Sequence, residues 1–186
     1  MAEERPVPGT DAGDTGPASS TPLGHRHPSS TIIPPVAANT RYFEAGPVAI
    51  GVEYRLITND IVNANLEAAS QELGTEHVPV NVPEDGGVSL HVVDAATYAE
   101  YLRFDLFDGS PHYHYIHPGK YQVNIPYDQA ASGDMLDWVQ QCLRHRLRDM
   151  LEFCGARTVA AGVDTAKIEA VLPHVVQAAR GGSPPA

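Results

Sequence analysis

The sequence predicts an α+β fold: an antiparallel sheet of about five strands, one long amphipathic helix packed across a face, and smaller helices flanking it. Two periodicities and a turn predict it. Apolar and polar side chains alternate through Val48–Leu56, Val88–Val93, Leu102–Phe107 and Tyr121–Ile125, as strands with one buried face do. Between residues 136 and 154 the apolar positions recur at helical spacing instead. Asp108-Gly109-Ser110-Pro111 marks a turn between two strands.

A chain of 186 residues holds one domain of ordinary size plus a tail. Residues 1–38 are rich in Pro, Gly, Ser and Thr and poor in large apolar side chains, a composition that cannot repay the entropy of ordering. They are expected to form a disordered leader, followed by a single domain over 39–180 and a frayed C-terminus at 181–186. The net charge of −11 argues against nucleic acid and anionic membrane as partners, since either would repel the summed field. No apolar run approaches the ~20 residues that span a bilayer. The start, Met1-Ala-Glu-Glu-Arg-Pro, lacks the basic and apolar regions of a secretory signal, so a cytoplasmic location is expected. Cys142 and Cys154 lie on one expected helix, roughly 18 Å apart and beyond disulfide reach. They read as small buried groups in a reducing compartment.

Taken in order, Arg41–Ile57 forms two strand segments broken at Gly46-Pro47. Val48, Ile50, Val52, Tyr54 and Leu56 share one face, and Glu53 projects from the other as a solvated carboxylate. Thr58 opens a short helix that stops at Gly74. Pro79, Pro83 and Gly86-Gly87 make residues 75–87 an extended loop. On the next strand His91 stands opposite the apolar row and is a candidate additional ligand. His25, His27 and His77 carry no assignable role. Ser132 or Asp134 caps the long helix, whose stripe runs Leu136, Val139, Cys142, Leu143, Leu147, Met150, Leu151 and Cys154 up to Gly155. Its other side carries Arg144, His145 and Arg148, a basic patch able to meet an anionic ligand. A last helix covers 164–180, with Pro173 expected to kink or restart it.

The chemistry concentrates in the hairpin at 102–117. Symmetric closure about the turn pairs Phe107 with His112, Asp105 with His114 and Arg103 with Ile116. Leu102, Phe104, Leu106, Tyr113 and Tyr115 then face a core, and Arg103, Asp105, His112 and His114 share the opposite face. Two histidines at i and i+2 on a strand chelate one ion, and Asp105 is the natural third member, as ligand or as the carboxylate orienting an imidazole. His117 is an accessory candidate that a bulge before Pro118-Gly119 would have to swing back. The spacing lacks the downstream half-motif of a cupin and the helical His-Glu-X-X-His of zincins.

The run Phe104-Asp-X-Phe-X-X-X-Pro-His-Tyr-His-Tyr115, followed by Gly133-Asp-X-Leu-X-Trp and Arg146-Leu-X-Asp-Met-Leu, resembles a family of small bacterial proteins of unassigned function. The resemblance covers roughly residues 102–156 and implies no reaction. The residues themselves point to a small metal-dependent enzyme acting on a small molecule, with His112, His114 and Asp105 around zinc or iron and Asp105 and His114 in catalytic roles. Two alternatives stand beside it: a metal-free His/Asp acid–base enzyme, and a non-enzymatic module binding an acidic ligand or partner through Arg103, Arg144 and Arg148.

Overall fold

The computed structural model describes residues 27–29 and 33–183. Seven strands form one antiparallel sheet in the order β1-β7-β6-β5-β4-β3-β2. These are β1 (His27–Ser29), β2 (Arg41–Ala45), β3 (Val48–Ile57), β4 (Asp85–Asp94), β5 (Glu100–Phe107), β6 (His112–His117) and β7 (Tyr121–Pro126). From β2 to β7 each strand pairs with the next in sequence, and β1 adds to the far edge, where His27 stands opposite Asn124. Of the expected leader, residues 27–29 therefore pair within the sheet and 33–38 lie against β3. Residues 1–26 and 30–32, with His25 among them, lie outside the described residues.

The helices are α1 (Asn59–Leu73), α2 (Gln129–Ser132), α3 (Met135–His145), α4 (Leu147–Phe153), α5 (Arg157–Gly162) and α6 (Thr165–Arg180). Thr58 caps α1 by accepting from Ile61 N, and Gly74 ends it at φ 67°, a left-handed conformation that glycine adopts without steric cost. The long helix expected over 136–154 is two helices, because Arg146 leaves helical geometry at φ −126° and ψ −6°. Its stripe survives the break: Leu136, Val139, Cys142 and Leu143 on α3 and Leu147, Met150 and Leu151 on α4 are all buried. The short α2 precedes it, and of the two cap candidates Asp134 caps α3 by accepting from Asp137 N. α6 runs without restart through Pro173.

One face of the sheet supplies the apolar core. Ile50 and Val52, Leu90 and Val92, and Leu102 and Phe104 pack against α3, α4 and α6. The Phe104, Tyr113 and Trp138 rings pack against one another as a cluster. Tyr113 and Tyr115 take the core side as alternation requires.

The hairpin register differs from symmetric closure by two residues. Asp105 stands opposite His112, Phe104 opposite Tyr113, and Arg103 opposite His114. The turn is tied from outside the hairpin, by the Asp85 carboxylate on β4. It accepts from Gly109 N (3.0 Å), Ser110 N (2.7 Å) and Ser110 Oγ (3.0 Å), drawing the turn toward β4. Close approach of β4 and β5 there requires Gly87, since a Cβ would strike the Leu106 carbonyl oxygen. A slip of two residues leaves every side chain on its expected face.

Candidate metal centre

The sheet face turned away from the helices is ionic and nearly as dry as the core. Glu53 and Arg55 from β3, Ser89 and His91 from β4, Arg103 and Asp105 from β5, and His114 from β6 are all buried. Register explains the grouping. Glu53, Ser89, Asp105 and His112 form one cross-strand row, and Gly51, His91, Arg103, His114 and Asn124 form the next. Glu53, expected in solvent, is 3% exposed because residues 33–40 cross its strand. It accepts from Val36 N at 3.2 and 3.3 Å.

Asp105, His112 and His114 bring three ligand atoms within 4.8 Å of one another. Asp105 Oδ2 lies 3.0 Å from His114 Nε2 and 3.3 Å from His112 Nε2, while its Oδ1 accepts from Ser89 Oγ. His112 Nδ1 donates to the Ser110 carbonyl at 2.7 Å, which directs Nε2 at Asp105. The Phe107 ring packs edge-on against the His112 ring. His114 Nδ1 is buried with no hydrogen-bond partner.

Protonation follows from these contacts. Burial alone would raise the Asp105 pKa. Hydrogen bonds from both histidines and the Arg103 charge outweigh burial and hold the carboxyl well below the usual carboxylate range. For His112 burial is likewise overcome, by Asp105 and the Ser110 carbonyl, and its pKa rises. For the more deeply buried His114, burial together with the His112 and Arg103 charges prevails over Asp105 and lowers it.

A second cluster adjoins the first. His91 Nδ1 stands 2.6 Å from Glu100 Oε1, and Arg103 donates to the same carboxylate through Nε (2.8 Å) and Nη2 (2.5 Å). His91 Nε2 is 3.3 Å from Glu53 Oε2 but not aligned to donate to it, so that contact is electrostatic only. Burial would raise the Glu100 pKa, yet Arg103 and His91 bring it down to about 2.

Glu100 is the member that alternation along β5 misplaces. Counting back from Leu102 assigns it to the core face. Val92 stands opposite Leu102 but Val93 opposite Glu100, so Tyr101 is an extra residue, a bulge that turns Glu100 to the ionic side. Ser89 and Arg55 are on the face their strand patterns give them, though nothing local marks them as partners of the histidines.

The remaining expected site residues lie elsewhere. His117 keeps regular alternation, stacks on Tyr121 at 4.3 Å on the other side of the sheet, and does not join the three ligand atoms. Arg144 and Arg148 belong to the helical layer. Arg144 donates to Glu169 at 3.0 Å, and Arg148 Nη2 to the Val163 carbonyl.

A cleft of about 180 Å³ opens beside the triad, with Arg55, Arg103, Asp105, His112 and His114 on its polar side and Ile33, Ile57 and Phe107 on its apolar side. A larger hollow of about 750 Å³ lies between Arg41, Tyr54 and the end of α6, away from this chemistry.

The family model described as "Domain of unknown function (DUF7700)" matches residues 42–179. The chain belongs to this family. No curated protein and no solved structure matches it. Both ionic clusters lie inside the DUF7700 domain, whereas Ile33 and Val36, which help to cover them, precede it. No helix among the described residues is long and apolar enough to cross a membrane.

Proposed function

We propose that this DUF7700 protein is a small metal-dependent enzyme, holding a divalent transition metal (zinc or iron) between His112, His114 and Asp105 and acting on a small molecule in the adjoining cleft. The carrying observation is the donor arrangement. Ligands about 2.0–2.2 Å from an ion stand roughly 3.0–3.6 Å from one another in octahedral or tetrahedral geometry. The two Asp105–histidine separations, 3.0 and 3.3 Å, lie in that range, and the three atoms together lie within 4.8 Å, so closing on one ion asks for a small inward shift of a histidine ring. With Nδ1 donating to Ser110, a neutral His112 ring turns the lone pair of Nε2 toward a carboxylate oxygen, and only a cation or a proton can reconcile two acceptors at that distance.

When bound, such an ion supplies Lewis-acid chemistry, polarising a substrate oxygen or activating a water. The protein's own groups prepare the site for it. Ser110 sets the His112 ring, Ser89 anchors the second oxygen of Asp105, and Ile33, Ile57 and Phe107 keep one wall of the cleft apolar. Arg144 and Arg148 are already engaged by Glu169 and Val163, which favours the enzyme over a binding module that would use them.

The raised His112 pKa supports a second reading, in which a proton takes the ion's place and His112 with Asp105 forms an acid–base pair. Elemental analysis separates the two. The purified chain should carry about one transition-metal ion, lost in the His112→Ala, His114→Ala double variant with far-UV circular dichroism unchanged. Metal-free protein after expression in metal-supplemented medium overturns the metal reading.

A further inference from the structure

Two guanidinium groups share the cleft with the triad, and they are compensated unequally. Arg103 is clamped by Glu100 through Nε and Nη2. Arg55 donates through Nη2 to the carbonyl oxygens of Ile33 (3.0 Å) and Pro34 (3.4 Å), and Glu53, the one carboxylate ion-paired with it among the described residues, stands 4.0 Å from Nε. Burial and the neighbouring Arg103 charge pull Arg55 below the ordinary arginine pKa. Arg103, though burial opposes it, is raised by Glu100. Nη1 of each makes no hydrogen bond among the described residues, and both side chains line the cleft.

A buried cation with unspent donors is costly until an anion meets it, and the planar fork of a guanidinium matches the two oxygens of a carboxylate. The cleft volume of about 180 Å³ equals roughly six waters at ~30 Å³ each, room for the carboxylate end of a small acid. Asp105 and Asp85 line the same cleft and Glu100 holds one of its arginines, so a singly charged group is repelled less than a dianionic phosphate.

We propose that the cleft takes a small carboxylic acid, its carboxylate gripped by Nη1 of Arg55 and Arg103 so that the rest of the molecule faces His112, His114 and Asp105. This names the substrate class of the metal-enzyme reading and rests on it for the reacting end alone; the anion grip needs no ion. Arg55 and Arg103 are positioning residues in this scheme.

The test uses the full chain treated with a chelator, so that lactate, a monoanion at neutral pH, meets protein only. At constant ionic strength, lactate should shift the Nε–H resonances of Arg55 and Arg103 in ¹H–¹⁵N spectra, and phosphate should shift them much less. Calorimetric lactate affinity should fall roughly tenfold or more in Arg55→Gln, the loss expected when a hydrogen bond to a charged group disappears. The spectra of the unaltered chain carry the test should that variant fold poorly. Resonances unmoved by lactate, or moved equally by lactate, phosphate and chloride, overturn the proposal. So does phosphate binding more tightly than lactate. Lactate binding by a chain that carries no metal after expression in metal-supplemented medium sinks the metal reading and leaves this one standing; a metal-loaded chain indifferent to lactate does the reverse.

Discussion

On β5, Leu102 and Phe104 enter the helical layer fully buried, while Arg103 and Asp105, one residue away on the opposite face, are only 3% and 2% exposed. The two faces are about equally dry and differ in what dryness does for them. Burying Phe104 against Tyr113 and Trp138 is favourable in itself. Burying Arg103 and Asp105 is tolerable only because each charge has a partner: Glu100 for the guanidinium, and Ser89, His112 and His114 for the carboxylate. Since apolar residues of similar size stabilise such a position as well or better, a buried ionic face is weak evidence of a stability device. An ionic face that also opens on a cleft is better explained by binding chemistry.

The contrast can be broken from either side. Its largest expected effect is on the apolar face, where Phe104→Ala should cost about 3–5 kcal/mol in urea unfolding, because the helical layer cannot collapse fully into the space left. On the ionic face the sensitivity is to pH. Glu100 has its folded pKa brought down to about 2 from an ordinary 4.5, so its contribution is complete above about pH 4.5 and is lost as pH falls toward 2. That amounts to on the order of 3 kcal/mol. Asp105, also held low, acts in the same direction, so Glu100→Gln should flatten the acid limb of a stability–pH curve without abolishing it. An unchanged limb would mean that Glu100 is not charged in the folded protein. The smallest effect is predicted outside both faces. The Arg144–Glu169 pair is half in solvent, and Arg144→Ala should change stability by less than about 1 kcal/mol and leave metal content alone.

The same contrast sorts what could be read early from what could not. Alternation along a strand is a local property of the backbone, and it placed Asp105, His112 and His114 together from the residues alone. That assignment survived a wrong register because the error was an even number of residues. The helical stripe from Leu136 to Cys154 was legible for the same reason, although the interruption at Arg146 was not. Partners and cover were illegible because they depend on distant segments. Asp85, about 25 residues from the turn, ties the turn to β4. The Tyr101 bulge turns Glu100 from the core side to Arg103, and residues 33–40 bury Glu53. The chain by itself therefore determined which side chains face which way. Only the tertiary structure decided which of those faces lost its water and which charges were left to answer one another, because dehydration depends on everything packed above a surface and side-chain direction only on the strand beneath it.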